Sequence, residues 1–370
     1  MKAKEIILLI LIIVVGILFH QLYTGEINIH FDFDDDAIIF SNEYDFEDYQ
    51  EYEPPFPSQI QVVNSHGNID ILGADEEKMT VTLRKKIWRR KEDAAKEIAD
   101  QLKMEVDREA NRWVISTNRY EFRKKNFRAN FVISIPSGTD VEIISSYGTV
   151  DVSYVRNAEI TNRHGEIIAE DISGELRVDH SYKDVEVRNI ASDLYLESRN
   201  SNVYVGKVKG KTHVIHRYGK VRMDNISKEV TIEGSHSEIY GEKLTGPLDL
   251  ESSYKKITLL NVGPAKIRSH NCTIDVEGAD GYLDIQNSYG KVWVADLQGD
   301  LVIDGKNLAV RGEAIVGEKI NIKSSYRDLE LFEFSGRTTI THSHGKVILA
   351  PYPLTHPLEV KGNNATIELS

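Results

Sequence analysis

The sequence predicts an all-β chain: a single-stranded parallel β-helix (β-solenoid) of ~18-residue windings, with an N-terminal transmembrane helix and one amphipathic helix in a capping region. Three observations carry this. The phrase "IISSYGTVDV" (143–152) returns as "DHSYKDVEV", "IHRYGKVRM" and "QNSYGKVWV". Apolar residues fall at fixed offsets from each copy. The chain opens on two lysines and a long aliphatic run.

In "MKAKEIILLILIIVVGILFHQLY", Lys2 and Lys4 precede an uninterrupted apolar run from Ile6 to Phe19. A spanning helix needs ~20 residues, and His20, Gln21 and Tyr23 extend the run into the interfacial layer. A cleaved signal peptide would be followed by small residues in an A-x-A pattern, which "FHQLYTGE" does not supply. Residues 1–24 are therefore expected to be a cytoplasmic tip and an uncleaved signal-anchor, crossing the cytoplasmic membrane through residues 6–23. That makes the chain a single-pass membrane protein of the bacterial cell envelope, with its bulk outside the cytoplasm. A buried helix of a soluble domain would be amphipathic, and this run is not.

Residues 25–57 are dense in acids and end in Pro-Pro-Phe-Pro, which reads as a self-repelling linker. "DFDDD" lacks the alternating ligands, central glycine and distal glutamate of a calcium loop. Residues 58–140 form a capping region. "SQIQVVNSHGNIDILGAD" and "KMTVTLRKKIW" alternate as strands, and "RWVISTNRY" and "NFVISIPSG" come after them. Between 91 and 108, Ala95, Ile98, Leu102 and Val106 recur at three- and four-residue steps, predicting an amphipathic helix that shields the start of the repeats.

Residues 141–370 are the repeats. Their anchors are Tyr147, His164, Tyr182, Asn200, Tyr218, His236, Tyr254, Asn271, Tyr289, Asn307, Tyr326 and His344, separated by 17 to 19 residues. Apolar residues lie three, five and eight after the anchor (Val185, Val187 and Ile190 after Tyr182), and again at twelve and fourteen (Leu194 and Leu196). A unit this small cannot bury its own apolar face, so copies must stack in register. At ~3.3 Å per residue an eighteen-residue winding has a perimeter of roughly 60 Å, which closes around one layer of side chains. Glycine after the anchor (Gly148, Gly165, Gly219, Gly290, Gly345) is expected to take the bend where the strand's in/out parity resets. Serine or asparagine before it satisfies backbone groups of the turn. Tyrosines recur at every second winding, so each ring is expected over a smaller polar neighbour.

These phrases, with "NRHGEIIAEDISGELRV", "NSYGKVWVADLQGDLVI", "HSHGKVILA" and the lead-in "VISIPSGTDVEIISSYG", resemble the bacterial putative adhesin family of unknown function over about residues 58–370. The resemblance implies an exported, membrane-associated β-helix without established catalytic residues. This chain departs from it by carrying Tyr, His or Asn where many relatives have a small residue, and by its longer helical insertion.

Composition narrows the function. A formal charge of −13 argues against nucleic acid as a partner, since displacing counterions from phosphates needs a basic face. The single cysteine, Cys272, excludes an intramolecular disulfide and a multi-cysteine metal cluster. His164, His180, His216, His236, His342 and His344 occupy repeat positions otherwise held by Ser, Asn or Tyr, so they read as turn or stack residues rather than zinc ligands, and no cofactor is expected. A polysaccharide-active β-helix enzyme would need clustered carboxylates on enlarged loops, whereas winding length here is nearly constant. Two basic patches stand out, Arg84, Lys85, Lys86, Arg89 and Arg90, then Arg123, Lys124 and Lys125, with aromatics among them. They either meet lipid head groups or an anionic envelope polymer, or they pair with the acidic segment before them. The expected function is adhesin-like: binding or scaffolding of an envelope polymer or protein along a rigid rod, without catalysis. The alternative is an envelope-stress sensor acting through a membrane partner.

Overall fold

The structure is a computed structural model that describes residues 28–30, 39–75, 78–122 and 126–370. The expected transmembrane segment, 6–23, lies outside the described residues. Among those described, no helix is long and apolar enough to cross a membrane.

From the repeat phrases the chain builds a parallel β-solenoid of about thirteen windings. Each winding has two strands, and each strand pairs with its equivalent one winding on. Leu176 faces Leu194 and Val178 faces Leu196 on the first strand, while Val185, Val187 and Ile190 face Val203, Val205 and Val208 on the second. The eighteen-residue winding is therefore the observed one, and like side chains stack on like. All of these residues are 2 % exposed or less. The driving force is the one inferred from the repeats: a lone winding would leave both its apolar faces wet, and stacking at ~4.8 Å removes them from water.

The bend is built differently from expectation. The left-handed conformation sits on the anchor residue itself in most windings, with φ of 61° at Tyr182, 55° at Asn200, 63° at Tyr218 and 54° at His236. One such residue between two strands resets their parity, at a cost of roughly 1–2 kcal/mol for a non-glycine. A second left-handed corner comes seven residues later, at Asp171, Asn189, Lys207 and Asn225 (φ 54–57°). The glycine after the anchor takes a positive φ at Gly148 and Gly219 (125° and 143°), as expected, but at Gly165 it does another job: a Cβ there would stand 1.7 Å from the carbonyl oxygen of Gly148 in the preceding winding. It is there for close approach of two backbones.

The solenoid begins earlier than residue 141. Gln59–His66 pairs in parallel with Asp140–Tyr147, and Ile69–Ala74 with Val150–Ser153, so 59–74 is the first winding and His66 its anchor. The chain then leaves the stack and returns to its outer side. Arg112–Thr117 pairs in parallel with the first strand of that winding, and Phe127–Pro136 with the second. Beyond them the pairing turns antiparallel, Met79–Arg89 against Phe127–Pro136 and Met104–Arg108 against Arg112–Thr117. The helix, α1, is Glu92–Gln101 and buries Ala95 and Ala99. It is shorter than expected: Leu102 is already extended (ψ 110°), and Val106 belongs to the strand Met104–Arg108. The β-branched residue that completed the helical pattern is stabilised by pairing instead.

The acidic linker needs correction from residue 39 onward. Ile39–Tyr52 is a strand, antiparallel to Met79–Arg89. Most of its acids occupy alternate positions, so Glu43, Asp45 and Glu47 lie opposite Trp88, Lys86 and Arg84, while Tyr44 and Phe46 pack toward the core and Asp48, on their side, meets the buried Lys85. Cross-strand opposite charges of this kind favour pairing over self-repulsion.

Candidate functional site: an outer aromatic ladder

The anchor side chain leaves the rod at the corner, where the left-handed residue is the anchor itself from Tyr182 onward and the following glycine at Gly67 and Gly148, and successive anchors stand one above another. Ring centroids are 4.7 Å apart for His66–Tyr147 and Tyr147–His164, and 5.0 Å for His164–Tyr182, all stacked. The ladder resumes as Tyr218–His236 at 5.0 Å, His236–Tyr254 at 4.8 Å and Tyr326–His344 at 4.8 Å. Asn200, Asn271 and Asn307 interrupt it. At Asn271 the neighbouring His270 fills in edge-on, 6.2 Å from Tyr254 and 5.7 Å from Tyr289. Tyr147, Tyr182, Tyr218, Tyr254, Tyr289 and Tyr326 are 46–58 % exposed. The smaller neighbour expected beneath each tyrosine is thus His in stacked stretches and Asn at the breaks. Stacked pairs of this kind contribute ~0.5–1.5 kcal/mol each, which offsets much of the left-handed backbone.

A row of phenol and imidazole edges offers repeated hydrogen-bonding groups with apolar rims. Catalysis needs unlike groups converging on one point, whereas here like groups recur at equal steps. The outward face of the first strands, away from the anchors, adds a groove of about 580 Å3. In that groove Tyr195 lies under the Arg177 guanidinium (4.6 Å) and edge-on to His213 (5.3 Å), which reaches Glu233 at 3.2 Å. Sequence reading missed this cluster. Its signal was one aromatic and one cation at the same offset from consecutive anchors.

Inside the corner runs a second column, two residues before ten of the thirteen anchors: Asn64, Ser145, Asn162, His180, Ser198, His216, Ser252, Asn287, Ser324 and His342, all buried. Four of these side chains answer the carbonyl that the bend turns inward one winding below. Asn162 donates to Gly148 O at 3.0 Å and Asn287 to Cys272 O at 2.9 Å, while His180 and His216 meet Gly165 O and Ser201 O at 2.8 and 3.1 Å. Burial holds the His180, His216 and His342 imidazoles below the usual histidine range. The candidate histidines therefore divide: His164, His236 and His344 lie on the outer ladder, and His180, His216 and His342 in the inner column.

The first basic patch is largely spent on the acidic strand. Arg84 pairs with Glu47 at 3.4 Å, Lys86 with Glu43, and the buried Lys85 with Asp48 at 2.6 Å and Ala99 O at 2.7 Å. Arg89 donates to Trp88 O at 2.7 Å, and Arg90 is exposed. Arg123, Lys124 and Lys125 lie outside the described residues. Removing the partner of a buried ammonium is costly, so Asp48→Ala is expected to lower stability by about 3 kcal/mol, read as a shift in the denaturant midpoint. A change under ~0.5 kcal/mol would mean that the cap does not depend on this pair.

No protein-family model and no curated protein matches this sequence. Among solved structures it is similar to a putative cell adhesion protein from Clostridium sporogenes at 13 % identity and TM-score 0.28, covering 54 % of this chain and 99 % of that one. A putative adhesin from Parabacteroides distasonis matches at 11 % identity and TM-score 0.23, over 88 % and 97 %. A third, from Bacteroides fragilis, matches at 11 % identity and TM-score 0.19, over 88 % and 97 %. Adhesin names thus recur among the solved structures this β-solenoid is similar to, and at these scores the likeness goes no further than those names.

Proposed function

We propose that the chain is a non-catalytic binding or scaffolding rod of the bacterial cell envelope, tethered through residues 6–23, whose outer ladder holds a long repeating polymer. The observation that supports this most is the exposed file of Tyr and His at fixed steps. Tyrosines at every second winding recur at ~9.6 Å, so a linear polymer of similar repeat meets the same contact again and again. Each contact is weak, and affinity comes from their number.

The test is retention of purified envelope polysaccharide and envelope protein fractions on the full-length chain in detergent. Tyr147→Ser alone is expected to weaken retention about two- to fivefold, the worth of one aromatic contact, and the Tyr147, Tyr182, Tyr218 and Tyr254 serine quadruple variant to abolish it. Undiminished retention by the quadruple variant would remove the ladder from the binding role. Release of saccharide without retention would favour an enzyme.

A further inference from the structure

The inner column contains a continuous chain of hydrogen bonds whose direction is fixed. His180 Nε2 faces the carbonyl of Gly165 at 2.8 Å, and a carbonyl only accepts, so that nitrogen carries the proton. His180 Nδ1 is then an acceptor and takes the Ser198 hydroxyl at 3.1 Å. Ser198 in turn accepts from Ser201 at 2.6 Å. His216 Nε2 faces both Ser201 O, at 3.1 Å, and Ser201 Oγ, at 3.3 Å, so it too is protonated, and its Nδ1 accepts from Ser237 at 2.8 Å. From Ser237 to Gly165 every donor points the same way along the rod. The chain is complete with both imidazoles neutral.

We infer that the windings between Gly165 and Ser237 form an acid-labile segment of the rod: a proton added to His180 or His216 gives the ring two donors and turns away the serine hydroxyl that had donated to Nδ1, Ser198 toward Ser201 and Ser237 toward the carbonyls of His216 or Ser235. Both rings are at most 1 % exposed, so a charge there is also poorly hydrated. The charged groups acting on His180 are Asp179 and Asp184, both exposed, and they only partly oppose the cost of burial. Around His216 the packed strands turn Ser201, Gly234 and Ser237 toward the ring, while Arg217, Lys220 and Glu238 are exposed on the outer side. The sign comes from linkage. With the folded imidazoles held below their unfolded value, the unfolded chain binds more protons, and stability falls as pH drops below that unfolded value, near 6.5.

The fold supplies its own control. Asn162 and Asn287 occupy the same position and reach the same carbonyl without titrating. Full-length protein in detergent, wild type and the His180→Asn/His216→Asn double variant, would be followed by hydrogen exchange at pH 7.5 and 5.0 after correction for intrinsic rates. In the wild type, protection in windings 165–237 is expected to fall at pH 5.0 by up to about 30-fold per histidine, with windings 248–303 changing less. The double variant should lose that difference. Equal loss of protection in both windows, or an unchanged loss in the double variant, would overturn the inference. If the double variant does not fold, the contrast between the two windows of the wild type decides alone.

Discussion

Val205→Asp is expected to destroy the rod at its middle, with a loss above ~4 kcal/mol and mostly insoluble protein. Val205 is fully buried and stands in register between Val187 and Met223. A carboxylate there has no cation and no donor within the aliphatic column, and the neighbouring windings cannot withdraw without giving up their own ladder. Because each winding contacts only its neighbours, the damage is expected to be local first, so limited proteolysis should cut near residue 205 before the ends lose structure. A soluble variant with a wild-type thermal midpoint would mean that this position faces outward, and the repeat assignment would go with it.

Gly219→Val acts through the backbone rather than the core. Gly219 has φ 143°, and a Cβ there would lie 1.8 Å from the carbonyl oxygen of Ser201. A β-branched residue meets both problems at once: a conformation it rarely adopts, and an overlap with backbone that cannot rotate away. The expected cost is at least about 3 kcal/mol, read from the denaturant midpoint. Gly138→Ala is the matched control, because a Cβ at Gly138 meets nothing within 4 Å, and its midpoint should stay within ~0.5 kcal/mol of wild type. Equal effects of the two substitutions would show that inter-winding approach does not limit this corner.

The rod was legible because its physics is periodic. Every apolar position picked out from the anchors, from Val150 to Ile303, is buried, since one misplaced strand would turn the whole set outward. The cap was less legible because composition hid parity. Counting acids in "SNEYDFEDYQEY" suggests repulsion, whereas reading alternate residues shows an acidic side and an aromatic side that suit a basic strand. Placement of the first winding could not be read locally, because what makes 59–74 part of the stack is its pairing with residues 140–153, far along the chain. The outer ladder was visible as anchors. The inner column was visible only as serine or asparagine near a turn, and what it satisfies is a carbonyl one winding away. Which histidine joins which column depends on a two-residue offset that meant nothing until the corner's handedness was known.

The excursion after the first winding has a consequence for how the molecule comes into being. Gln59–His66 lies between Arg112–Thr117 and Asp140–Tyr147, both of which are synthesised after it. As the polypeptide emerges from the ribosome, its earliest solenoid strands have no permanent neighbour until residues 112–136 have emerged, and neither strand is paired on both sides until about residue 153. Closing so long a loop is the slow, entropically costly event, and it yields a seed with one sealed end. Afterwards each new winding needs only the next eighteen or so residues, so growth is expected to run toward the carboxyl terminus in the order of translation.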